Sequence, residues 1–178
     1  MARAGELLLG GYVCVILAVE QKKSNSNKNM LVINFDIAEG DFKGFYMDKY
    51  KNATPRSDND PIKWQGKYYQ MLEGDNWESR FKGLITSIEE SNEGYKWNDD
   101  EQSLKGKLFG GIFGEEEYIY NGEIRTNTKL RWIRSVDKIR NGEFEIPRKK
   151  EVPEEQKTTI NAPFEQAFTP VREDDLPF

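Results

Sequence analysis

Basic and aromatic residues are interleaved in two stretches of this 178-residue chain, and that combination has a recognisable chemistry. Residues 43–69 hold six bases (Lys43, Lys49, Lys51, Arg56, Lys63 and Lys67) against three acids (Asp48, Asp58 and Asp60), a balance of +3. Phe45, Tyr46, Tyr50, Trp64, Tyr68 and Tyr69 stand among them. Residues 123–140 hold Arg125, Lys129, Arg131, Arg134, Lys138 and Arg140 against Glu123 and Asp137, a balance of +4, with Tyr118, Tyr120 and Trp132 alongside. A single strand of nucleic acid offers spaced phosphates and open base faces. Cations beside flat rings match it without reading its sequence, each stack being worth on the order of 1–3 kcal/mol. The candidate platforms are therefore Tyr46, Trp64, Tyr68, Tyr69, Tyr118 and Tyr120. The candidate phosphate contacts are Lys43, Lys49, Lys51, Arg56, Lys63, Lys67, Arg125, Lys129, Arg131 and Arg134. Core packing competes for every ring, and Phe45 and Trp132 are the two best suited to burial.

The overall charge points the other way. Residues 1–147 carry 21 bases and 24 acids, a net of -3, which argues weakly against a polyanionic partner. The distribution along the chain restores the case for one, because residues 73–102 concentrate nine acids against three bases and leave the remainder cationic.

Catalytic chemistry has little to work with. The chain has no histidine and one cysteine, Cys14, which excludes Ser-His and Cys-His nucleophile pairs, histidine metal sites and an internal disulfide. Phosphate-cradling glycine loops, CxxC pairs and HExxH are missing from the sequence. The clusters Asp58-Asn59-Asp60 and Asp99-Asp100-Glu101 lack the glycine and distant glutamate of a calcium loop and read as solvated loops. A magnesium-dependent nuclease assembled from Asp36, Glu39 and Lys43 is the one enzymatic alternative. The expectation is a binding protein with no catalysis, cofactor or metal.

The elements that must position these residues follow from periodicity. Leu7 to Val19 is a 13-residue uncharged run, shorter than the roughly 20 needed to cross a bilayer, and it reads as a buried first strand after Gly10-Gly11. Leu31, Ile33, Phe35 and Ile37 alternate with their neighbours at period two in a second strand over residues 30–37. Residues 44–50 read as a third strand, followed by a loop that carries Trp64, Tyr68 and Tyr69. Trp77, Phe81, Leu84, Ile85 and Ile88 share one helical face, which predicts a helix over residues 74–94 capped by Asp75 and stopped near Gly94. Residues 104–114 form a fourth strand and residues 130–137 a fifth, joined by a hairpin whose Asn121-Gly122 suits a type I′ turn. Three strands, a helix and two more strands is the element order of the oligonucleotide/oligosaccharide-binding barrel, so the expected fold is a mainly β, five-stranded OB-fold barrel with one helix between strands 3 and 4 and an extended hairpin between strands 4 and 5.

Composition changes at Pro147. Residues 148–178 are rich in proline and charge and are expected to be a disordered tail after a binding domain of residues 1–147. The tail ends Arg172-Glu173-Asp174-Asp175-Leu176-Pro177-Phe178, acids before an apolar tip that suits insertion into a partner's pocket flanked by bases. EDDLPF resembles the acidic tip of bacterial single-stranded-DNA-binding proteins, which typically ends Asp-Asp-Asp-Ile-Pro-Phe, with Leu176 in place of isoleucine. In the body, GGYVCVI, FDIAEGDFKGF, FKGLITSIEESNEGYKW and IRSVDKIRNGEF resemble single-stranded-DNA-binding proteins of phages and mobile elements of Gram-positive bacteria. The resemblance implies an OB barrel that coats exposed DNA in the bacterial cytoplasm, away from any membrane. It also implies that Asp174, Asp175, Leu176, Pro177 and Phe178 recruit replication, recombination and repair proteins, and it allows a homo-oligomer. An RNA- or protein-binding module of the same fold is the alternative from a different class.

Overall fold

A computed structural model describes residues 6–55 and 61–160. Five strands form one antiparallel sheet: β1 (Gly10–Lys23), β2 (Asn29–Ile37), β3 (Lys67–Met71), β4 (Leu108–Tyr120) and β5 (Glu123–Arg134), in the order β3-β2-β1-β4-β5. Helix α1 (Phe45–Asn52) lies between β2 and β3, and α2 (Trp77–Ser91) between β3 and β4. Two short helices, α3 (Val136–Arg140) and α4 (Glu154–Ile160), follow β5. The two edge strands, β3 and β5, are not paired with each other, so the sheet is open and the expected closed barrel is not formed by hydrogen bonds.

The apolar alternation of β1 and β2 explains where the core sits. Cys14, Ile16, Leu31, Ile33, Phe35 and Ile37 bury one face of the sheet with Phe109 and Phe113 of β4 and with Leu84, Ile85 and Ile88 of α2. Phe35 is its aromatic centre, edge-on to Tyr46 and Phe109 at ring distances of 5.4 and 5.7 Å. Val13 and Ile112 meet Val136 and Ile139 of α3 in a separate, smaller cluster. Glycines in β4 permit that packing. A Cβ on Gly110 would stand 2.5 Å from Ile139, and one on Gly111 would stand 2.8 Å from Leu130. Register slips at Ile16/Ala18 and Ile112/Phe113 bend the strands.

Helix α1 corrects the predicted third strand. Gly44 takes φ 76, and the helix that follows is held by a residue distant in sequence. Asp36, buried in β2, accepts hydrogen bonds from the amides of Ile37 (2.8 Å), Tyr46 (2.8 Å) and Met47 (3.1 Å). Its carboxylate thus satisfies two first-turn donors of α1, which no side chain at the cap itself does. The real third strand is Lys67–Met71, which was expected to be loop. It pairs with β2 from Met30↔Met71 to Asn34↔Lys67 and carries a buried glutamine, Gln70, where an apolar residue would have signalled a strand.

The predicted helix at residues 74–94 is α2, with its apolar stripe inward, but Asp75 does not cap it. Asn76 precedes the helix in a left-handed conformation (φ 60), whereas side-chain capping needs extended backbone at that position. At the far end the Asn92 amide group donates to the Ile88 and Leu108 carbonyls at 2.7 and 2.9 Å, joining α2 to β4. Asn121 and Gly122 turn the β4–β5 hairpin at φ 51 and 78, as the Asn-Gly pair predicts. Beyond Phe113, β4 leaves β1 and, among the strands, pairs only with β5, so the hairpin projects as an arm.

Residues 148–157, assigned to the tail from composition, pack against this arm. The Lys150 amide donates to the Glu115 carbonyl at 2.9 Å and the Glu117 amide to the Lys150 carbonyl at 2.8 Å. Val152 is buried. Among the described residues no helix is long and apolar enough to cross a membrane.

Candidate nucleic-acid interface

A cleft of about 840 Å³ lies between the two unpaired sheet edges. Lys67, Tyr68 and Tyr69 of β3 line one side, with Phe45, Tyr46 and Lys49 of α1 beside them. The other side is Thr126 to Arg131 of β5, with Glu115 and Glu116 of β4. Glu6 to Leu9, Phe35, Gln65, Arg80 and Lys150 complete it. Six cations (Lys49, Lys67, Arg80, Lys129, Arg131 and Lys150) thus meet three carboxylates (Glu6, Glu115 and Glu116). A protein with net charge -5 therefore places a balance of +3 in this concavity.

Local contacts fix these groups. The Lys49 ammonium stands 5.7 Å over the ring of Phe45 one helical turn away. Arg131 donates through one nitrogen to the carbonyls of Glu115 and Arg148, both at 3.2 Å, so its guanidinium is oriented before any ligand arrives. Burial, together with the positive charge of Lys22, lowers the pKa of Lys67. Burial raises the Tyr68 hydroxyl, against the opposing pull of Arg80 and Arg134, which places both guanidiniums within electrostatic reach of that ring.

Of the residues expected from the sequence to bind nucleic acid, Tyr46, Lys49, Lys67, Tyr68, Tyr69, Lys129 and Arg131 come together in the cleft. Tyr46 is there as wall rather than platform, since it is 7% exposed and packed edge-on against Phe35 and Phe45. Trp64 is structural. Its indole N–H donates to the carbonyls of Phe35 and Gly66, both at 3.1 Å, bolting the loop before β3 to β2. Lys43, Lys51 and Lys63 lie outside the cleft lining, and Arg56 lies outside the described residues. Tyr118, Tyr120 and Arg125 sit on the projecting arm, where Arg125 stacks 4.8 Å over Tyr120 and pairs with Glu123. Arg134 stacks 5.5 Å over Trp132, which, of the two rings best suited to burial, is exposed at 38%. Asp174 to Phe178 lie outside the described residues.

Arg80 and Lys150 are cleft residues that the sequence does not single out. Arg80 sits in the most acidic segment, yet its position three residues after Trp77 puts it at the margin of the buried stripe, a signal that could have found it. Lys150 carries no such signal, because only the folding of the tail's root onto β4 brings it in. The nuclease candidate does not assemble as a metal site. Asp36 uses both carboxylate oxygens on backbone amides, and Glu39 is ion-paired with Arg140. Among the described residues no cluster of three or more metal-ligating side chains occurs. Asp100 accepts from the Gln102 amide and Glu101 from Gln21, so that acidic cluster stabilises a turn. The chain matches no protein-family model and none of the curated proteins it was compared with.

Proposed function

We propose that this protein binds single-stranded DNA with little regard to sequence and carries out no catalysis itself. It would protect exposed strands during replication, recombination and repair of a phage or mobile element in a bacterial host. The observation that carries the reading is the cleft between β3 and β5, where six cations converge beside Phe45, Tyr68 and Tyr69. Phosphates and open bases require that mixture, and duplex DNA, whose bases are stacked away, does not use it. The strand order supports a half-open OB-type barrel in which β3 and β5 flank the ligand instead of sealing a seam.

The test is a fluorescence-anisotropy titration with labelled oligo(dT), since none of the four tryptophans lines the cleft and intrinsic emission is a poor reporter. Neutralising about four to six phosphates predicts a log-log salt slope of roughly -3 to -4. Equal affinity for duplex and single strands at moderate salt would refute the proposal.

The terminal Glu173-Asp174-Asp175-Leu176-Pro177-Phe178 belongs to the same proposal as a protein-docking tip, repelled by phosphate and anchored through Phe178. Deleting these six residues is expected to leave DNA affinity equal or slightly higher and to abolish capture of purified replication and repair proteins. Phe178→Ala alone should cause most of that loss. Undiminished capture by the truncated chain would remove the docking role.

A further inference from the structure

Residues 148–152 run along the edge of β4 just past Phe113, where the pairing with the start of β1 stops, and their backbone is fixed there at several places. Lys150 forms a parallel bridge to Glu116, with its amide and carbonyl bonded to Glu115 and Glu117. The Arg148 carbonyl accepts from Arg131, itself a cleft residue. Pro147 lies so close to β4 that a Cβ on Gly114 would stand 3.0 Å from its ring, a tight contact that the glycine avoids. Val152 is buried at the far end.

Glu117 ties these contacts together. Its carboxylate accepts from the Val152 amide at 3.1 Å and pairs with Lys149 at 3.4 Å and Lys157 at 4.0 Å. The Val152 hydrogen bond, and after it Lys149, holds this carboxyl below the usual glutamate range, so the contact is charged at neutral pH. Two residues before Val152, Lys150 is one of the residues that line the cleft.

We infer that Lys150 is a phosphate-binding residue and that Glu117 is the positioning residue that holds it at the cleft, making the segment after Pro147 a wall of the binding site. The inference rests on the reading of the cleft as a nucleic-acid site. Its physical basis is that a lysine on a free tail spreads its charge over many positions, whereas one whose backbone is bonded on both sides contributes a fixed contact at lower entropic cost.

The experiment measures the oligo(dT) salt slope for full-length protein and for Lys150→Ala, Glu117→Ala, the double variant and Lys129→Ala. Each phosphate contact on a single strand contributes about 0.7 to the slope, so Lys150→Ala should reduce its magnitude by about that amount. Glu117→Ala should give the same reduction although it removes an acid, which simple charge arithmetic would make strengthen binding. The double variant should lose no more than either single one. Glu117→Gln, which keeps an acceptor for the Val152 amide, should recover part of the loss. Should Glu117→Ala fail to fold, Val152→Asp releases the segment without altering the sheet and should show the same reduction. An unchanged slope in Lys150→Ala while Lys129→Ala lowers it would overturn the inference and leave the function standing. A normal slope in folded Glu117→Ala would overturn the positioning role. No change in any variant would remove the functional reading itself.

Discussion

Changing Lys67, Lys129 and Arg131 together to alanine is expected to weaken oligo(dT) binding roughly 50-fold at about 0.15 M salt, without unfolding the protein. The three line opposite sides of the cleft, Lys67 on β3 and Lys129 and Arg131 on β5, so a strand lying between the edges meets all of them. Each contact releases condensed counterions, and three contribute about 2 to the log-log slope. Extrapolated from about 1 M, a slope change of that size corresponds at physiological salt to the roughly 50-fold loss. Changing Lys23, Lys105 and Lys138 to alanine removes the same charge from exposed positions outside the cleft lining. Because none of the three lines the cleft, this control should change affinity little. Equal losses in the two triple variants would mean that net charge alone drives binding, and the cleft would lose its assignment.

Asp36→Ala should be the most destabilising polar substitution in the domain, at on the order of 3–5 kcal/mol in a urea melt. The carboxylate is buried and accepts from three backbone amides, two of them in the first turn of α1. Alanine would leave those donors without a partner where water does not readily replace one, and would remove the negative charge facing the helix N-terminus. Because α1 carries Phe45 and Lys49 into the cleft, the folded variant should also bind oligo(dT) more weakly. Asp36→Asn should fall between, since its one oxygen can still accept while its amide group opposes a second N–H. A loss under about 1 kcal/mol would show that α1 holds itself without this contact.

What the sequence reveals and conceals divides by the range of the interactions involved. The alternation in β2, the stripe of α2 and the Asn121-Gly122 turn are local patterns, and each appears in the fold where its period places it. Phe45 to Tyr50 reads as a strand because aromatic residues favour strands, and it folds as a helix because Asp36, ten residues before Tyr46, supplies its cap. Lys67–Met71 reads as loop because Gln70 breaks the apolar alternation, although pairing with β2 buries it. In the cleft the sequence identifies the basic-aromatic segments that meet, but it cannot separate rings that face the ligand from rings such as Trp64 that bolt a loop. Lys150 depends on a chain reversal that leaves no periodic trace.

The missing seam between β3 and β5 gives the cleft a mechanical property as well as a shape. In a sealed barrel, spreading two neighbouring strands breaks a row of backbone hydrogen bonds, each worth about 1 kcal/mol net. Here the sheet ends at both edges, so its walls can part or approach through small changes of twist distributed along β1 to β5, with every ladder pair kept. The restoring force is that of a bent sheet rather than of a bond. A purine and a pyrimidine differ in width by more than rigid packing forgives, and an elastic gap admits either at similar cost. On the proposed single-strand reading, indifference to base identity would then be a matter of compliance, set by two edge strands that do not pair.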